Sequence, residues 1–455
     1  MYQTDYHIHF IGIGGIGMSG IAELLLNLGY TVSGSDLKLS AITRRLEKKG
    51  ATVHKGHTAE QVKGANVVVT STAISQENPE VVQAKADGLT IIPRAEMLAE
   101  LMRIKYAIAV SGAHGKTSTT AMISQILNTA GLDPTVIIGG LLQGLDTNAL
   151  HGQGDYIVAE ADESDGSFLK YSPAIAAVTN IDLEHLDFYT GIEDIKDKFV
   201  QFINSVPFYG LAVVCLDNPH VQDILPRIKV RHTTFGMSAQ SDLQAREIKF
   251  KNGEGKFTVV FQEEELGKIT LKIAGKHNIS NALAAIAVAL ELKIPFKTIK
   301  KALEKIKGVK RRLERKGEKN DILVVDDYGH HPTEIAATLN AIRESYPDKR
   351  LVVLFQPHRF TRTQALFDDF TRSFYQSDQL ILLPIYAASE APIPGVDSQA
   401  LAQGIRAHGH KDVEAAADFN QALAMVTGKL KANDLVLTLG AGDIYTLGEK
   451  LLENL

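Results

Sequence analysis

The sequence predicts an α/β protein of three domains, each built on a largely parallel sheet. Two apolar strands run directly into glycine-rich turns that open helices, at residues 7–28 and 106–130. After residue 322, apolar strands and helical patterns alternate again. The length of 455 residues agrees with three domains of about 150 residues each. We therefore predict domains at residues 1–104, 105–310 and 311–455.

The composition is that of an ordinary globular protein, with 45% apolar and 22% charged residues. A formal net charge of -5 gives no electrostatic reason to expect binding to nucleic acid or to an anionic membrane. Cys215 is the single cysteine, which excludes an internal disulfide framework and a cysteine-based zinc site. The opening residues lack a basic segment, and no uninterrupted apolar run approaches the roughly 18 residues of a membrane helix. We therefore predict a cytoplasmic protein.

The first domain begins with a Rossmann-like strand–turn–helix–strand pattern over residues 7–35. Its turn carries a complete G-x-G-x-x-G sequence, whose glycines are Gly12, Gly14, Gly15 and Gly17. Glycines let the backbone approach a diphosphate, and the N-terminus of the following helix favours the negative charge. Asp36, at the end of the second strand, is the expected partner of a ribose hydroxyl. This pattern alone favours a nicotinamide or flavin enzyme, but the same physics would hold a UDP-sugar.

The second domain carries a phosphate loop between a buried strand at residues 106–111 and a helix at residues 117–130. The loop consists of Gly112, Ala113, His114, Gly115, Lys116, Thr117 and Ser118. Its backbone N–H groups would surround phosphate, Lys116 would reach the β- and γ-phosphates of ATP, and the hydroxyl of Thr117 would ligate Mg²⁺. Val110 stands where the usual loop has its first glycine, so this loop is shortened. The alternative is a glycine helix start with an exposed lysine.

Charged side chains follow two further strands of the second domain. Tyr156–Ala159 runs into a loop of four carboxylates that begins at Glu160, and the strand Ile175–Asn180 precedes a polar segment that contains His185. Carboxyl ends of parallel strands meet at one edge, where α/β proteins bind their ligands. Because Mg²⁺ needs several oxygen ligands, we predict a magnesium site there. Taken alone, His185 would more often be a surface histidine.

The chain between residues 210 and 275 alternates in the manner of antiparallel strands, and the basic stretch Lys307–Lys319 is predicted to be a linker. In the third domain, two polar clusters follow strands, at residues 326–332 and 355–362. The second cluster contains Arg359 and Arg362, whose guanidinium groups can bind a carboxylate or phosphate bidentately. Two such clusters at one sheet edge indicate a binding site.

Together these segments resemble the Mur ligase family over nearly the whole chain, most closely the members that add L-alanine. The matching segments are His9–Gly20, Gly112–Ser118, Glu160–Phe168, Thr179–Tyr189, His277–Ala282, Asp326–Glu334 and Gln356–Thr363. The resemblance implies an N-terminal UDP-sugar domain, a central ATPase domain and a C-terminal Rossmann-like domain that brings the amino acid. It implies an ATP-dependent ligase of peptidoglycan synthesis, in which the carboxylate of UDP-N-acetylmuramate becomes an acyl phosphate that L-alanine then attacks.

The resemblance also implies roles for individual residues. Those associated with magnesium are Thr117, Glu160 and His185. Asn278 matches the contact to adenine, and Asp327 matches the contact to the ribose of ADP. Residues expected to act in catalysis are Lys116, His330 and Arg359, the last two near the acyl phosphate and the incoming amino acid. Several relatives use a carbamylated lysine near the metals, but neither Lys196 nor Lys198 has the required spacing after His185.

Three alternatives remain open at this point. A sister ligase would add a preformed peptide to the same sugar nucleotide. An NAD(P)-dependent oxidoreductase would use the glycine pattern at residues 12–17 but would leave the second phosphate loop unexplained. A non-catalytic nucleotide-binding regulator would leave the polar clusters without a purpose. The sequence does not separate L-alanine from glycine or serine as the substrate.

Overall fold

The structure is a computed structural model that describes residues 5–71, 73–138, 149–150, 152–185 and 188–455. Leu186 and Asp187, which belong to the matching segment around His185, lie outside the described residues, as do residues 1–4. The chain divides into two compact units. The first consists of Met1–Arg246, Val259–Gly267 and Ser280–Leu303, and the second of Glu247–Thr258, Lys268–Ile279 and Glu304–Leu455.

The N-terminal part of the chain forms a five-stranded parallel sheet. Its strands and helices are β1 (His7–Ile11), α1 (Ile16–Asn27), β2 (Thr31–Asp36), α2 (Ala41–Lys48), β3 (Thr52–Lys55), β4 (Val67–Thr70), α3 (Pro79–Ala86), β5 (Thr90–Pro93) and α4 (Arg94–Met102). The strand order β3-β2-β1-β4-β5 is that of a Rossmann-like sheet whose first strand is central. The turn between β1 and α1 therefore lies at the middle of the carboxyl edge.

The central part of the chain forms a ten-stranded sheet. Its elements are β6 (Tyr106–Ser111), α5 (Lys116–Thr129), β7 (Thr135–Ile137), β8 (Ala149–Leu150), β9 (Tyr156–Glu160), β10 (Ile175–Val178), α6 (Ile192–Asn204), β11 (Leu211–Cys215), α7 (Pro219–Ile224), β12 (His232–Gly236), β13 (Leu243–Lys251), β14 (Glu254–Phe261), β15 (Glu264–Leu271), α8 (Lys276–Glu291) and α9 (Phe296–Leu303). The strand order is β15-β14-β13-β12-β11-β10-β6-β9-β7-β8. Strand β6 lies between β9 and β10, so the loops that follow these three strands share one edge.

The C-terminal part forms a six-stranded sheet. Its elements are β16 (Glu314–Lys319), β17 (Ile322–Asp327), α10 (Pro332–Ser345), β18 (Arg350–Phe355), α11 (Phe360–Ala365), α12 (Phe367–Thr371), β19 (Gln379–Leu382), α13 (Ser398–Ala407), β20 (Val413–Ala415), α14 (Phe419–Thr427), β21 (Asp434–Leu439) and α15 (Tyr445–Asn454). The order is β16-β17-β21-β18-β19-β20, with only β16 antiparallel to its neighbour among the described pairs. Residues 351–355 of β18 are fully buried and pack into cores on both faces, as expected of a central parallel strand.

The predicted three-domain α/β architecture is confirmed, and two local predictions are wrong. Strands β11 and β12 lie in the stretch predicted to be antiparallel, but they pair in parallel with their neighbours. Residues Glu314–Lys319, predicted as part of a linker, form the edge strand β16, which pairs with β17. An edge strand is solvated on one side and is often rich in charge, so its sequence does not differ from that of a polar linker. Among the described residues, no helix is long and apolar enough to cross a membrane.

Candidate active site

The glycine turn of the first sheet is fixed by the end of β2. The main-chain oxygen of Ser35 accepts hydrogen bonds from the N–H groups of Gly12 at 2.8 Å and Ile13 at 2.9 Å. The Asp36 carboxylate accepts the N–H of Gly14 at 2.9 Å. Because these three amides are already bonded, the N–H groups left to meet a diphosphate are those of the first turn of α1, which have no partner within the helix.

Asp36 lies against the glycine turn itself. A Cβ atom on Gly14 would lie 2.8 Å from Asp36 Oδ2, so only glycine allows this approach. The other carboxylate oxygen accepts the N–H of Lys38 at 3.2 Å. Each oxygen can accept a second hydrogen bond. The structure therefore places Asp36 at the predicted site, and its contact with a ribose hydroxyl stays a prediction.

Arg94 is a basic residue at this site that the sequence reasoning missed. It begins α4 immediately after β5, and its side chain lies beside Gly17, where an added Cβ would be 3.1 Å from Arg94 Cδ. A guanidinium beside the first turn of α1 adds positive charge where the helix dipole already favours an anion. Its position directly after a strand was the signal available in the sequence.

The phosphate loop after β6 is shaped by the end of β10. Gly112 has φ +134, and a Cβ there would lie 2.1 Å from Thr179 Oγ1, so no other residue fits. Thr179 Oγ1 donates to the carbonyl of His114 at 2.6 Å. The side chain of Asn180 accepts the N–H of His114 at 2.8 Å and donates to its carbonyl at 2.9 Å. The end of β10 thus fixes the loop before α5, whose first residues are Lys116, Thr117 and Ser118.

Lys116 is held by a carboxylate that the sequence analysis did not single out. Its ammonium donates to the carbonyl of Gly112 at 2.6 Å and to both oxygens of Glu163, at 2.8 and 3.0 Å. Burial alone would lower the pKa of Lys116, but the carboxylates of Glu163 and Asp162 outweigh burial and raise this pKa. Lys116 is therefore a charged ammonium at the mouth of the loop, paired with an almost fully buried glutamate.

Glu163, Glu184 and His185 form a group that could hold a metal ion. Each offers one ligand atom, and the three atoms all lie within 4.8 Å of one another. Two carboxylates supply the hard oxygen ligands that Mg²⁺ prefers, so the donor chemistry fits this ion. His185 has φ +56, an uncommon conformation for a residue with a side chain. Such strain occurs more often at functional sites than elsewhere.

The residues predicted to bind magnesium lie at this same edge. His185 belongs to the group just described. Glu160 is the last residue of β9 and pairs with Val110 of β6, and Thr117 is the second residue of α5. The group around His185, whose ligand atoms all lie within 4.8 Å of one another, contains Glu163 and Glu184 rather than Glu160. The sequence analysis therefore located the edge and both segments, but it assigned Glu160 as the acidic ligand and did not single out Glu163 and Glu184.

Lys196 is engaged in ion pairs away from the phosphate loop. Its ammonium donates to Glu193 at 2.8 Å and to Asp223 at 2.7 Å. The hydrogen bonds to Asp223 and Glu193 raise the pKa of Lys196. Carbamylation requires a neutral amine, so this arrangement agrees with leaving Lys196 out of the metal site.

In the second unit, Asn278 and Asp327 are both buried and both bonded to the chain. The amide of Asn278 donates to the carbonyl of Ala274 at 2.7 Å. The Asp327 carboxylate accepts the N–H groups of Leu313 and Gly329, each at 2.8 Å. Burial raises the pKa of Asp327. These bonds fix the segments that carry the two residues, and their contacts with adenine and ribose stay predictions.

His330 lies in an aromatic and basic cluster after β17 and β18. Its ring is 5.5 Å from that of Tyr328 and 5.8 Å from that of His358, which stacks on Tyr386 at 5.5 Å. Arg362 approaches His358 at 3.2 Å. Burial lowers the pKa of His330 to about 3 and that of His358 to about 4. Both imidazoles are therefore neutral at neutral pH.

Arg359 is the N-cap residue of α11, and its backbone is in the left-handed region, with φ +70. Its guanidinium forms an ion pair with Glu390, which also accepts the N–H of Thr361 at 3.0 Å. Burial would raise the pKa of Glu390, but hydrogen bonds from Thr361 and Arg359 outweigh burial and lower this pKa to about 2. The structure thus brings Arg362 into contact with the histidine cluster, and places Arg359 on an acidic partner beside it.

The N-termini of α1 and α5, which belong to different sheets, are both suited to bind phosphate. This arrangement is typical of a nucleotide-binding α/β enzyme, here with three domains. Family profiles match three successive stretches: "Mur ligase family, catalytic domain" at residues 7–106, "Mur ligase middle domain" at 110–289 and "Mur ligase, glutamate ligase domain" at 311–442. The chain belongs to the Mur ligase family, whose members are ATP-dependent ligases of a carboxylate and an amine.

Individual relatives match over their full length. The chain is 72% identical over 453 residues to a UDP-N-acetylmuramate–L-alanine ligase of Desulforapulum autotrophicum, covering 100% of this chain and 99% of the relative. It is 59% identical to the enzyme of that name from Desulfosudis oleivorans, covering 99% of each chain. Among solved structures, a UDP-N-acetylmuramate–alanine ligase from Thermotoga maritima matches with TM-score 0.82 and 27% identity, covering 98% of each chain. A murein peptide ligase from Psychrobacter arcticus matches with TM-score 0.69 and 26% identity, also over 98% of each chain.

Proposed function

We propose that the chain ligates L-alanine to the carboxylate of UDP-N-acetylmuramate, with conversion of ATP to ADP and phosphate, in peptidoglycan precursor synthesis. The observation that carries this proposal is the full-length identity of 72% to an enzyme named for that reaction. The geometry supports it, because each of the first two sheets carries a glycine turn at the start of a helix that is suited to phosphate. The peptide-adding alternative has less support, since the murein peptide ligase matches with a TM-score of 0.69 against 0.82.

The sugar nucleotide binds at the first sheet in this proposal. Its diphosphate meets the first turn of α1, beside Arg94, and the glycine turn held by Ser35 and Asp36. The glycines Gly12, Gly14, Gly15 and Gly17 let the backbone come close enough for this contact. An oxidoreductase would place a dinucleotide here, but it would have no use for the second phosphate loop.

ATP binds at the loop after β6, where Lys116 would leave Glu163 for the β- and γ-phosphates. The amides of the loop and of the start of α5 complete the phosphate site. Thr117, Glu160 and His185, with Glu163 and Glu184 beside them, would hold Mg²⁺. When bound, this ion would offset the charge of the two anions, phosphate and carboxylate, that must approach each other.

His330 and the neighbouring arginines serve the incoming amino acid. His330 Nδ1 lies 3.1 Å from the carbonyl of Tyr328, which accepts a hydrogen bond only from the tautomer protonated on Nδ1. That leaves Nε2 as a hydrogen-bond acceptor for the amine of L-alanine. Arg359 and Arg362 supply positive charge for its carboxylate and for the departing phosphate. The hydrogen-bond acceptor and the anion partners therefore come from the segments that follow β17 and β18, two strands of one sheet.

The proposal predicts phosphate release that depends on UDP-N-acetylmuramate and an amino acid together. With the full chain, ATP and Mg²⁺, we expect L-alanine to be the best of L-alanine, glycine and L-serine, and an L-alanyl peptide to be inactive. NADH should not compete with the sugar nucleotide. Turnover with the peptide but not with L-alanine would establish the sister ligase instead. Absence of phosphate release with every acceptor would refute the ligase proposal.

A further inference from the structure

A buried polar network lies under the glycine turn, on the face of the first sheet that α3 covers. Its most deeply buried members are His9, Ser33, Ser35 and Glu80, each no more than 4% exposed. They lie beside a small apolar core that includes Ile11 and Val81. Buried polar groups lower the stability of a core unless they are hydrogen-bonded, so each member of this network requires a hydrogen-bond partner.

Glu80 is the centre of the network. Its Oε2 atom accepts from His9 Nε2 at 2.9 Å and from Ser35 Oγ at 2.8 Å, and its Oε1 atom lies 3.0 Å from His57 Nδ1. Burial would raise the pKa of Glu80, but hydrogen bonds from His9, Ser35 and His57 outweigh burial and lower this pKa. The carboxylate is therefore ionised, and its hydrogen-bond donors include side chains from β1, β2 and the segment after β3.

Ser35 joins this network to the nucleotide site. Its side chain donates to Glu80, while its main-chain oxygen accepts the N–H groups of Gly12 and Ile13. The next residue, Asp36, accepts the N–H of Gly14. A displacement of the end of β2 would therefore move all three amides of the turn, and with them the first turn of α1.

We propose that Glu80 is a positioning residue for the sugar nucleotide, which acts through Ser35 to set the glycine turn and the diphosphate-binding start of α1. This inference rests on the proposed function of the first sheet as the UDP-sugar site. Glu80 is fully buried beneath the sheet and acts on the nucleotide only through the backbone. The contact of phosphate with helix N–H groups depends on their direction, so a small shift of the turn weakens binding of this nucleotide specifically.

The chain offers a matched control on the same strand. Ser33 lies two residues before Ser35, on the same face and also buried, and its hydroxyl bonds His7 and His9 at 2.7 Å rather than Glu80. Glu80→Gln and Ser35→Ala are expected to raise the KM for UDP-N-acetylmuramate about ten-fold, the size of a lost hydrogen bond to a charged group. The KM for ATP and kcat should remain near wild-type values. Ser33→Ala should raise the KM for UDP-N-acetylmuramate less than either variant, because Ser33 reaches Glu80 only through His9, and should leave the KM for ATP and kcat near their wild-type values.

The positioning role of Glu80 is tested by steady-state kinetics of the full chain, together with calorimetric measurement of UDP binding. A KM for the sugar nucleotide that is unchanged in Ser35→Ala, or raised equally in Ser33→Ala, would overturn the positioning role. If Glu80→Gln does not fold, Ser35→Ala alone decides between these results. A wild-type chain that neither binds nor uses UDP-N-acetylmuramate would instead refute the proposed function. The two failures are therefore distinguishable.

Discussion

Replacing Lys116 with alanine is expected to abolish ATP-dependent ligation and to leave binding of the sugar nucleotide intact. Lys116 is the ammonium at the phosphate loop, and its loss would also leave Glu163, 3% exposed at its side chain, without its ion-pair partner. Removing one partner of a buried charge pair costs about 2–5 kcal/mol. The glycine turn at residues 12–17 belongs to a different sheet, so its phosphate contacts do not involve Lys116.

Lys196→Ala is the matched control for this variant. Lys196 is also a buried, ion-paired lysine of the central part of the chain, but its partners are Glu193 and Asp223. We expect its turnover to stay near that of the wild type. Ligation assays together with calorimetric binding of ATP and of UDP-N-acetylmuramate would check both variants. If a folded Lys116→Ala enzyme lost binding of ATP and of UDP-N-acetylmuramate equally, the two nucleotides could not have separate sites.

A second large effect is expected for Arg359→Ala, which should leave ATP binding largely unchanged and lower ligation by about two to three orders of magnitude. The proposed function places the guanidinium of Arg359 beside the acyl phosphate, so the variant would lose a preorganised positive charge there. Arg359 forms an ion pair with Glu390. To contact substrate, its guanidinium would have to leave Glu390 or bind both groups at once. Rapid-quench measurement of ligation with equilibrium ATP binding would determine the result.

Glu390→Gln separates a direct role of Arg359 from a role in holding its loop. If the guanidinium meets the reacting groups, Glu390→Gln should retain most of the turnover, because Arg359 is still present. If the ion pair only shapes the loop, both variants should lose activity equally. Arg343→Ala is the control, since Arg343 pairs with Asp378 in the same sheet domain at 2.6 Å. Near-normal turnover of Arg359→Ala would remove this residue from the active site.

The glycine turns could be predicted from sequence because their chemistry is local. Gly12 and Gly112 each follow an apolar strand, and each has a positive φ that only glycine adopts easily. The same reasoning located the acidic edge after β9, because charges directly behind a buried strand are unusual. Polar residues directly after buried parallel strands therefore indicate a ligand-binding site, because these strand ends share one edge of the sheet.

Contacts between distant parts of the chain could not be predicted in this way. Glu160 and Glu163 belong to the same acidic segment, and the path of the loop after β9 decides which of them approaches Lys116. The sequence of this segment does not indicate which of the two acids it is. His9 and Glu80 are 71 residues apart, and His9 occurs in an apolar strand whose pattern indicates only burial. Their pairing follows from α3 lying over β1, which no local signal in the sequence specifies.

The acyl-phosphate reaction itself is the central claim, and oxygen transfer tests it most directly. UDP-N-acetylmuramate would be labelled with ¹⁸O at both oxygens of its lactyl carboxylate and incubated with the wild-type chain, ATP, Mg²⁺ and L-alanine. If the carboxylate attacks the γ-phosphate, one carboxylate oxygen becomes the bridge of the acyl phosphate. This oxygen leaves with the phosphate when the amine attacks the carbonyl carbon. Mass spectrometry should therefore find one ¹⁸O atom in each released phosphate and one in the new amide. Unlabelled phosphate, formed in step with the ligated product, would contradict the mechanism.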